Sequence, residues 1–245
     1  MGEKNYKLNL PLMKNRSFFP ILLLFLSLAV SAQNKGYKEL MSQDWPNLKE
    51  YREANKKIKA STKYPTVVFM GNSIVKGWVN KHPEFFKSND YVGRGIGGQT
   101  TSQMLIRFTP DVLELHPKAV VILAGTNDIA GNTGFASVKM ITNNIKAMAQ
   151  LAKANGITVI LCSILPAYNY PWRPEVKPIM KIAEINEWLK KYAKKNGHTY
   201  LDFFSLLKNE REGMQKQYSE DGVHPTTTGY DVMEPIMKKA IHQIL

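Results

Sequence analysis

The sequence predicts an α/β protein: a three-layer α/β/α arrangement with a central parallel five-stranded sheet. Two observations carry that expectation. Short runs that are apolar throughout recur along the chain, and amphipathic helical patterns separate them. A strand with no polar alternation is covered on both faces, and strands separated by helices pair in parallel. No internal repeat, linker or low-complexity tract breaks the pattern, so a single domain over residues 33–245 is the simplest organisation.

Taken in order, residues 37–60 are helix-like and strongly charged, with Pro46 opening a turn or a new helix. Residues 66–70, Thr-Val-Val-Phe-Met, form the first expected strand, a β-branched and apolar run that stops at Gly71. Comparable runs lie at 91–96, 119–124, 158–164 and 199–202. Helical patterns fill 101–115, 135–155, 176–196 and 227–245. Gly156 and Gly197 stand where left-handed helix C-caps are expected.

Residues 1–32 read as a signal peptide. A basic stretch, Met13-Lys14-Asn15-Arg16, precedes an apolar run over 18–30, and Val30-Ser31-Ala32 supplies the small residues of a cleavage site. The run is too short to span a bilayer, which needs about 20 residues. The expectation is export, periplasmic or secreted, after cleavage near Ala32, with no stable membrane insertion of the rest. No cysteine follows the cleavage site to accept a lipid.

Composition then excludes several classes. The single cysteine, Cys162, rules out an internal disulfide framework and a four-cysteine zinc site, and inside an apolar strand it reads as an inert core residue. The net charge of +13 raises the question of nucleic acid. Residues 1–32 hold four basic residues and one acidic residue, so +10 remains on residues 33–245. Its lysine pairs, such as Lys190-Lys191 and Lys194-Lys195, fall on helices away from the strand ends. That is a solvated helix exterior, and no nucleic-acid motif accompanies it.

In a parallel sheet, ligands bind beyond the carboxyl ends of the strands. Four segments stand in such places: Gly71-Asn72-Ser73-Ile74, the glycine turn Gly95-Ile96-Gly97-Gly98, Gly125-Thr126-Asn127-Asp128, and Asp221-Gly222-Val223-His224-Pro225 before the last helix. Ser73 follows a strand and precedes a helical stretch, a position where serine is more often an N-cap than a nucleophile. Of the five histidines, only His224 has a carboxylate three residues before it in a glycine-containing segment. A nucleophilic serine needs a base, and the base needs a carboxylate to fix its tautomer. Ser73, His224 and Asp221 satisfy that requirement. The backbone N–H groups of Ser73 and Gly98 and the side-chain amide of Asn127 would supply donors for an oxyanion.

These four segments, in this order and across nearly the whole of residues 33–245, resemble the sequence blocks of the SGNH (GDSL-type) hydrolase superfamily. The Gly-Ile-Gly-Gly turn is most similar to the platelet-activating-factor acetylhydrolase-like branch. The resemblance implies a flavodoxin-like SGNH hydrolase fold and a serine esterase or acylhydrolase. It also implies Ser73, Asp221 and His224 as the triad and Ser73, Gly98 and Asn127 as the oxyanion hole. Gly97 stands as the alternative to Gly98. Asn72 departs from the family's usual Gly-Asp-Ser and is expected to tune hydrogen bonding and charge in the loop without abolishing activity.

Other motifs fall away. Residues 93–98 satisfy G-x-G-x-x-G but follow the second strand, with no acidic residue at the end of the next one. Val75 occupies the last glycine position of a G-x-S-x-G elbow. No metal-ligand spacing or cofactor motif is present, so neither metal nor organic cofactor is expected. After the fourth strand, Tyr168, Tyr170 and Trp172 form an aromatic loop, and Trp78 follows Ser73 by five residues. Each of the four is a candidate substrate-binding residue or, alternatively, a packed core aromatic.

The function expected is a secreted serine esterase that removes short acyl groups, above all acetyl, from carbohydrate or other small-molecule esters. The alternatives are a lysophospholipase or short-chain lipid acylhydrolase, and a non-catalytic carbohydrate-binding protein on the same fold.

Overall fold

Strands β1 (Val67–Gly71), β2 (Tyr91–Gly95), β3 (Ala119–Leu123), β4 (Thr158–Cys162) and β5 (Thr199–Leu201) pair in parallel in the order β2-β1-β3-β4-β5. The computed structural model describes Tyr37, Glu39 and residues 42–245. The signal peptide expected over residues 1–32, and part of the helix expected over 37–60, lie outside the described residues. Residues 45–245 form one compact unit. The described residues of 1–44 belong to another, in which Tyr37 and Glu39 are helical and the Ser42 hydroxyl donates to the Glu39 carbonyl at 2.9 Å.

The period-two alternation of side chains divides the core in two. Val68 and Met70 of β1, Val120 and Ile122 of β3, and Val159 and Leu161 of β4 face one layer. It is built from α4 (Thr101–Asp111), α6 (Val138–Ala154) and α7 (Ile179–Asn196). Val67, Phe69, Val121, Leu123, Ile160 and Cys162 face the other. There α2 (Ser73–Lys81), α3 (Pro83–Lys87), α8 (Phe203–Leu207) and α9 (Thr227–Ile244) pack. Cys162 is buried, and burial pushes its thiol up, consistent with an inert core residue.

Local chemistry moves some boundaries inward. The helix expected over 37–60 is interrupted: Tyr37 and Glu39 are helical, a run of turns follows over 42–51 in which Asn47 is left-handed, and α1 (Arg52–Ser61) comes after it. The 101–115 helix ends at Asp111 and continues as a 3-10 turn over Leu113–Leu115. His116, just before Pro117, then turns left-handed, with φ 45°. β4 stops at Cys162 because the backbone of Ile164 is claimed by a side chain. Asn186 of α7 accepts from the Ile164 amide (2.7 Å) and donates to its carbonyl (3.0 Å). Gly197 is the left-handed C-cap of α7, with φ 71°.

The sheet order reverses direction between β1 and β3, which opens a crevice beyond their carboxyl ends. Gly71 closes β1 beside Gly95 of β2 and Leu123 of β3, so the segments leaving all three strands emerge together. Gly95 is required there: a Cβ would lie 2.7 Å from the Asn72 carbonyl oxygen.

Candidate active site

Ser73 is the first residue of α2, and Asn72 takes the cap position instead. The Asn72 side-chain oxygen accepts from the Ile74 amide at 2.9 Å, which spares the Ser73 hydroxyl for another partner. That partner is His224, whose Nε2 lies 2.8 Å from Ser73 Oγ across 151 residues of sequence. On the far side of the ring, His224 Nδ1 lies 2.6 Å from Asp221 Oδ2.

Gly222, with φ 80°, lets the 221–224 segment fold back on itself. Asp221 Oδ1 then accepts from the Val223 amide (2.9 Å) and the His224 amide (2.8 Å). Partial burial opposes ionisation of Asp221, but these bonds and the His224 ring outweigh it and draw the carboxyl down to about 2. Ser219 braces the turn, its hydroxyl 2.8 Å from the His224 carbonyl and accepting from the Gly222 amide at 2.9 Å. A serine hydroxyl, an imidazole and an ionised carboxylate in series can generate a nucleophile at neutral pH.

The segments after β2 and β3 converge on the same place. Gly98 is left-handed, φ 74°, in the turn closed by the Gln99 amide and the Ile96 carbonyl. The Asn127 side-chain amide, nearly fully buried, donates to the Gln99 carbonyl at 3.0 Å. Asn127 and Asp128 lie on a short helix, α5 (Thr126–Ile129). Asp128 is buried and accepts from the Thr101 amide at 3.0 Å and from the Thr101 hydroxyl at 2.5 Å. Burial raises its carboxyl to about 6, the Thr101 bonds only partly countering it.

The four aromatic candidates part company. Trp172 is 40% exposed, and its ring centroid lies 6.1 Å from that of His224 at an interplanar angle of 33°. Tyr170 is fully buried beneath it, stacked at 5.2 Å, with its oxygen accepting from the Thr126 hydroxyl at 3.0 Å. Tyr168 is exposed but engaged elsewhere, under the Arg211 guanidinium at 4.3 Å. Trp78 belongs to the core, and the substrate-binding expectation does not hold for it. It is fully buried, stacked 5.4 Å from both Phe85 and Tyr230, and its indole N–H donates to Glu234 at 3.0 Å. Helical spacing is the reason: Ile74, Val75 and Trp78 share the inward face of α2. Tyr170 likewise supports Trp172 from below and has no surface of its own to offer a substrate.

Sequence reasoning missed Asn132. Its side chain donates to the Gly98 carbonyl (3.1 Å) and accepts from the Trp172 indole (3.1 Å), linking the glycine turn to the exposed aromatic ring. Only its position shortly past Asn127 hinted at it. A cavity of about 310 Å³ lies beside Asp221 and His224, and its other walls include Lys81, Glu220, Thr227 and Thr228. Among the described residues, no cluster of three or more His, Cys, Asp or Glu is arranged to hold a metal ion.

Comparison with known proteins places the chain in a family. Residues 69–232 match the model of the GDSL-like Lipase/Acylhydrolase family. The chain is similar to the crystal structure of a GDSL-like lipase from Bacteroides thetaiotaomicron VPI-5482, with 46% identity and a TM-score of 0.77, covering 82% of this chain and 100% of that one. It is also similar to a structure from Streptococcus pneumonia described as a platelet activating factor, at 25% identity and a TM-score of 0.69 over 87% of this chain and 99% of that one. Among curated proteins, it is 29% identical over 156 residues to the uncharacterized lipoprotein YqeF of Bacillus subtilis (strain 168). That match covers 60% of this chain and spans 57% of the relative's length. With its five-stranded parallel sheet and helices on both faces, the chain belongs to the GDSL-like lipase/acylhydrolase family and is an ester hydrolase.

Proposed function

We propose that the protein hydrolyses short-chain acyl esters, acetyl esters of carbohydrates foremost, through an acyl-enzyme on Ser73. Ser73 Oγ attacks the ester carbonyl carbon as His224 Nε2 takes its proton. Asp221 holds His224 in the tautomer that leaves Nε2 free to accept and stabilises the imidazolium that forms. The tetrahedral oxyanion is held by the amides of Ser73 and Gly98 and by the side chain of Asn127, one such donor being worth about 3 kcal/mol. As the carbonyl reforms, the bond to the alcohol oxygen breaks and His224 protonates that oxygen. Water, deprotonated by His224, then attacks the acyl-serine carbonyl carbon; the bond to Ser73 Oγ breaks, His224 returns the proton to Oγ, and the acid is released. Every proton moves through His224, so the cycle needs no further reactant.

The observation that carries this reading is the unbroken contact series from Ser73 Oγ through His224 to Asp221, at 2.8 and 2.6 Å. Support for a sugar alcohol comes from its surroundings. Trp172 offers a partly exposed ring beside His224. We also infer export, with residues 1–32 removed as a signal and residues 33–245 acting as one domain. The lipoprotein relative supports passage out of the cytoplasm, and no helix among the described residues is long and apolar enough to cross a membrane.

Acid release from acetylated xylan, pectin and sialic acid, measured beside lysophospholipids of increasing chain length, tests the substrate class. Faster release from the acetylated carbohydrates is expected. Equal or faster release from long-chain lipids would overturn it in favour of a lipid acylhydrolase.

A further inference from the structure

We propose that Arg107, acting through Gln99, is the positioning element that keeps the three oxyanion-hole donors in register, and that it serves kcat rather than substrate affinity. The proposal rests on the esterase reading above.

Arg107 lies on α4 with its side chain fully buried. Burial of a guanidinium is costly, and a buried ion pair is weak evidence of a stabilising role, since apolar replacements often do as well. What Arg107 binds is therefore informative. Only one of its contacts is a carboxylate, Asp111 at 2.8 Å from Nη1. The other three go to segments that build the site. Nη2 donates to the Gly71 carbonyl (2.9 Å), two residues before Ser73, and to the Arg94 carbonyl (2.7 Å) in β2, and Nε donates to the Gln99 side-chain oxygen at 2.5 Å.

Gln99 carries that anchoring onward. It is bonded covalently to Gly98, and its carbonyl accepts the Asn127 side-chain amide at 3.0 Å. Its own side-chain amide donates to the Pro46 carbonyl at 2.7 Å, so both ends of the side chain are fixed. From the opposite side, Asn132 holds the Gly98 carbonyl at 3.1 Å. Each oxyanion donor thus traces to one buried cation: Ser73 through Gly71, Gly98 through the Gln99 side chain, and Asn127 through the Gln99 carbonyl. Charge-assisted bonds of this kind are short and directional, which suits them to fixing backbone. Hydrogen bonds to a developing oxyanion are strongest when their donors are already in place, so a displaced donor is felt in the transition state more than in substrate binding.

The test uses the full chain and three variants, Gln99→Met, Gln99→Glu and Arg107→Lys, each checked for folding by circular dichroism and thermal midpoint. Gln99→Met keeps the length of the side chain but loses the acceptor for Arg107, whereas Gln99→Glu keeps the acceptor. On p-nitrophenyl acetate, Gln99→Met is expected to lower kcat roughly 10- to 100-fold, less than the roughly 100- to 1,000-fold cost of removing an oxyanion donor outright, with KM changed less than about threefold. Binding of a boronic acid that forms a tetrahedral adduct with Ser73 should weaken by a similar factor, and Gln99→Glu should recover most of both losses. Arg107→Lys, which keeps the charge but loses the fork, should fall with Gln99→Met and carries the test if that variant does not fold. A Gln99→Met enzyme with a lower thermal midpoint but wild-type kcat would overturn the proposal and leave Gln99 a purely structural residue. A rise in KM at constant kcat would overturn it too. Absence of turnover by the wild-type enzyme would instead defeat the esterase reading on which it rests, with no variant involved.

Discussion

Two carboxylates near the site, Asp221 and Asp128, meet opposite surroundings. Asp221 is partly exposed and hydrogen-bonded to amides and to the His224 ring, so it keeps its charge down to a pH of about 2. Acidification from pH 7 to 5 therefore leaves the orienting carboxylate ionised. Asp128 is enclosed, and its value rises from 3.8 to about 6. Its folded value lies above its unfolded one, so the folded state holds the extra proton between about pH 4 and 6. The associated stability is fully present below pH 4 and lost as the pH rises through 6, a component of up to roughly 3 kcal/mol. Asp128→Asn cannot ionise. Its unfolding free energy in urea is expected to lack the decline between about pH 4 and 6 that is expected of the wild type, and an unchanged decline would assign the titration to another group. The contact series of Ser73, His224 and Asp221 was legible from type and spacing, because a nucleophile, a base and an orienting acid would have to occur together. Asn132 and Arg107 were not, because a lone asparagine or arginine in sequence looks the same buried or exposed.

At the scale of elements, the strands were legible because a doubly covered strand has to be apolar along its whole length. Their ends were less so. β4 stops short because Asn186, on a helix 22 residues away, captures the Ile164 backbone, a contact with no local signal. The aromatic residues divide on helix phase and loop packing, which place Trp78 and Tyr170 inside and Trp172 at the surface. Trp78 could have been assigned from its spacing with Ile74 and Val75. The tyrosines and Trp172 could not, since a loop has no period. Two variants separate the roles. Trp78→Ala should destabilise the fold by about 3–5 kcal/mol, as loss of a buried large aromatic does, measured by denaturant midpoint. Trp172→Ala, removing a 40% exposed ring, should cost little stability and lower kcat/KM on acetylated xylo-oligosaccharides about tenfold, on the order of 1.4 kcal/mol. A Trp172→Ala enzyme as efficient as wild type on those substrates would remove the ring from substrate binding.

The whole molecule follows from where the sheet reverses. With β1 and β3 adjacent and their continuations diverging, Ser73 and Asn127 leave neighbouring strands at the same crevice, and His224 reaches it from the segment before α9. A parallel sheet follows from the alternating strand and helix pattern, whereas the strand order and the 2.8 Å approach of two residues 151 positions apart needed the folded chain. The groups that would act on the ester are hydroxyl, imidazole, carboxylate and amide. The most direct measurement is turnover of p-nitrophenyl acetate by the purified protein and by Ser73→Ala at equal concentration, with both confirmed folded. A nucleophilic Ser73 predicts steady turnover by the wild type and a loss of at least about 1,000-fold in the variant, since an alanine can form no acyl-enzyme. Turnover by Ser73→Ala at the wild-type rate, or none by either protein, would contradict it.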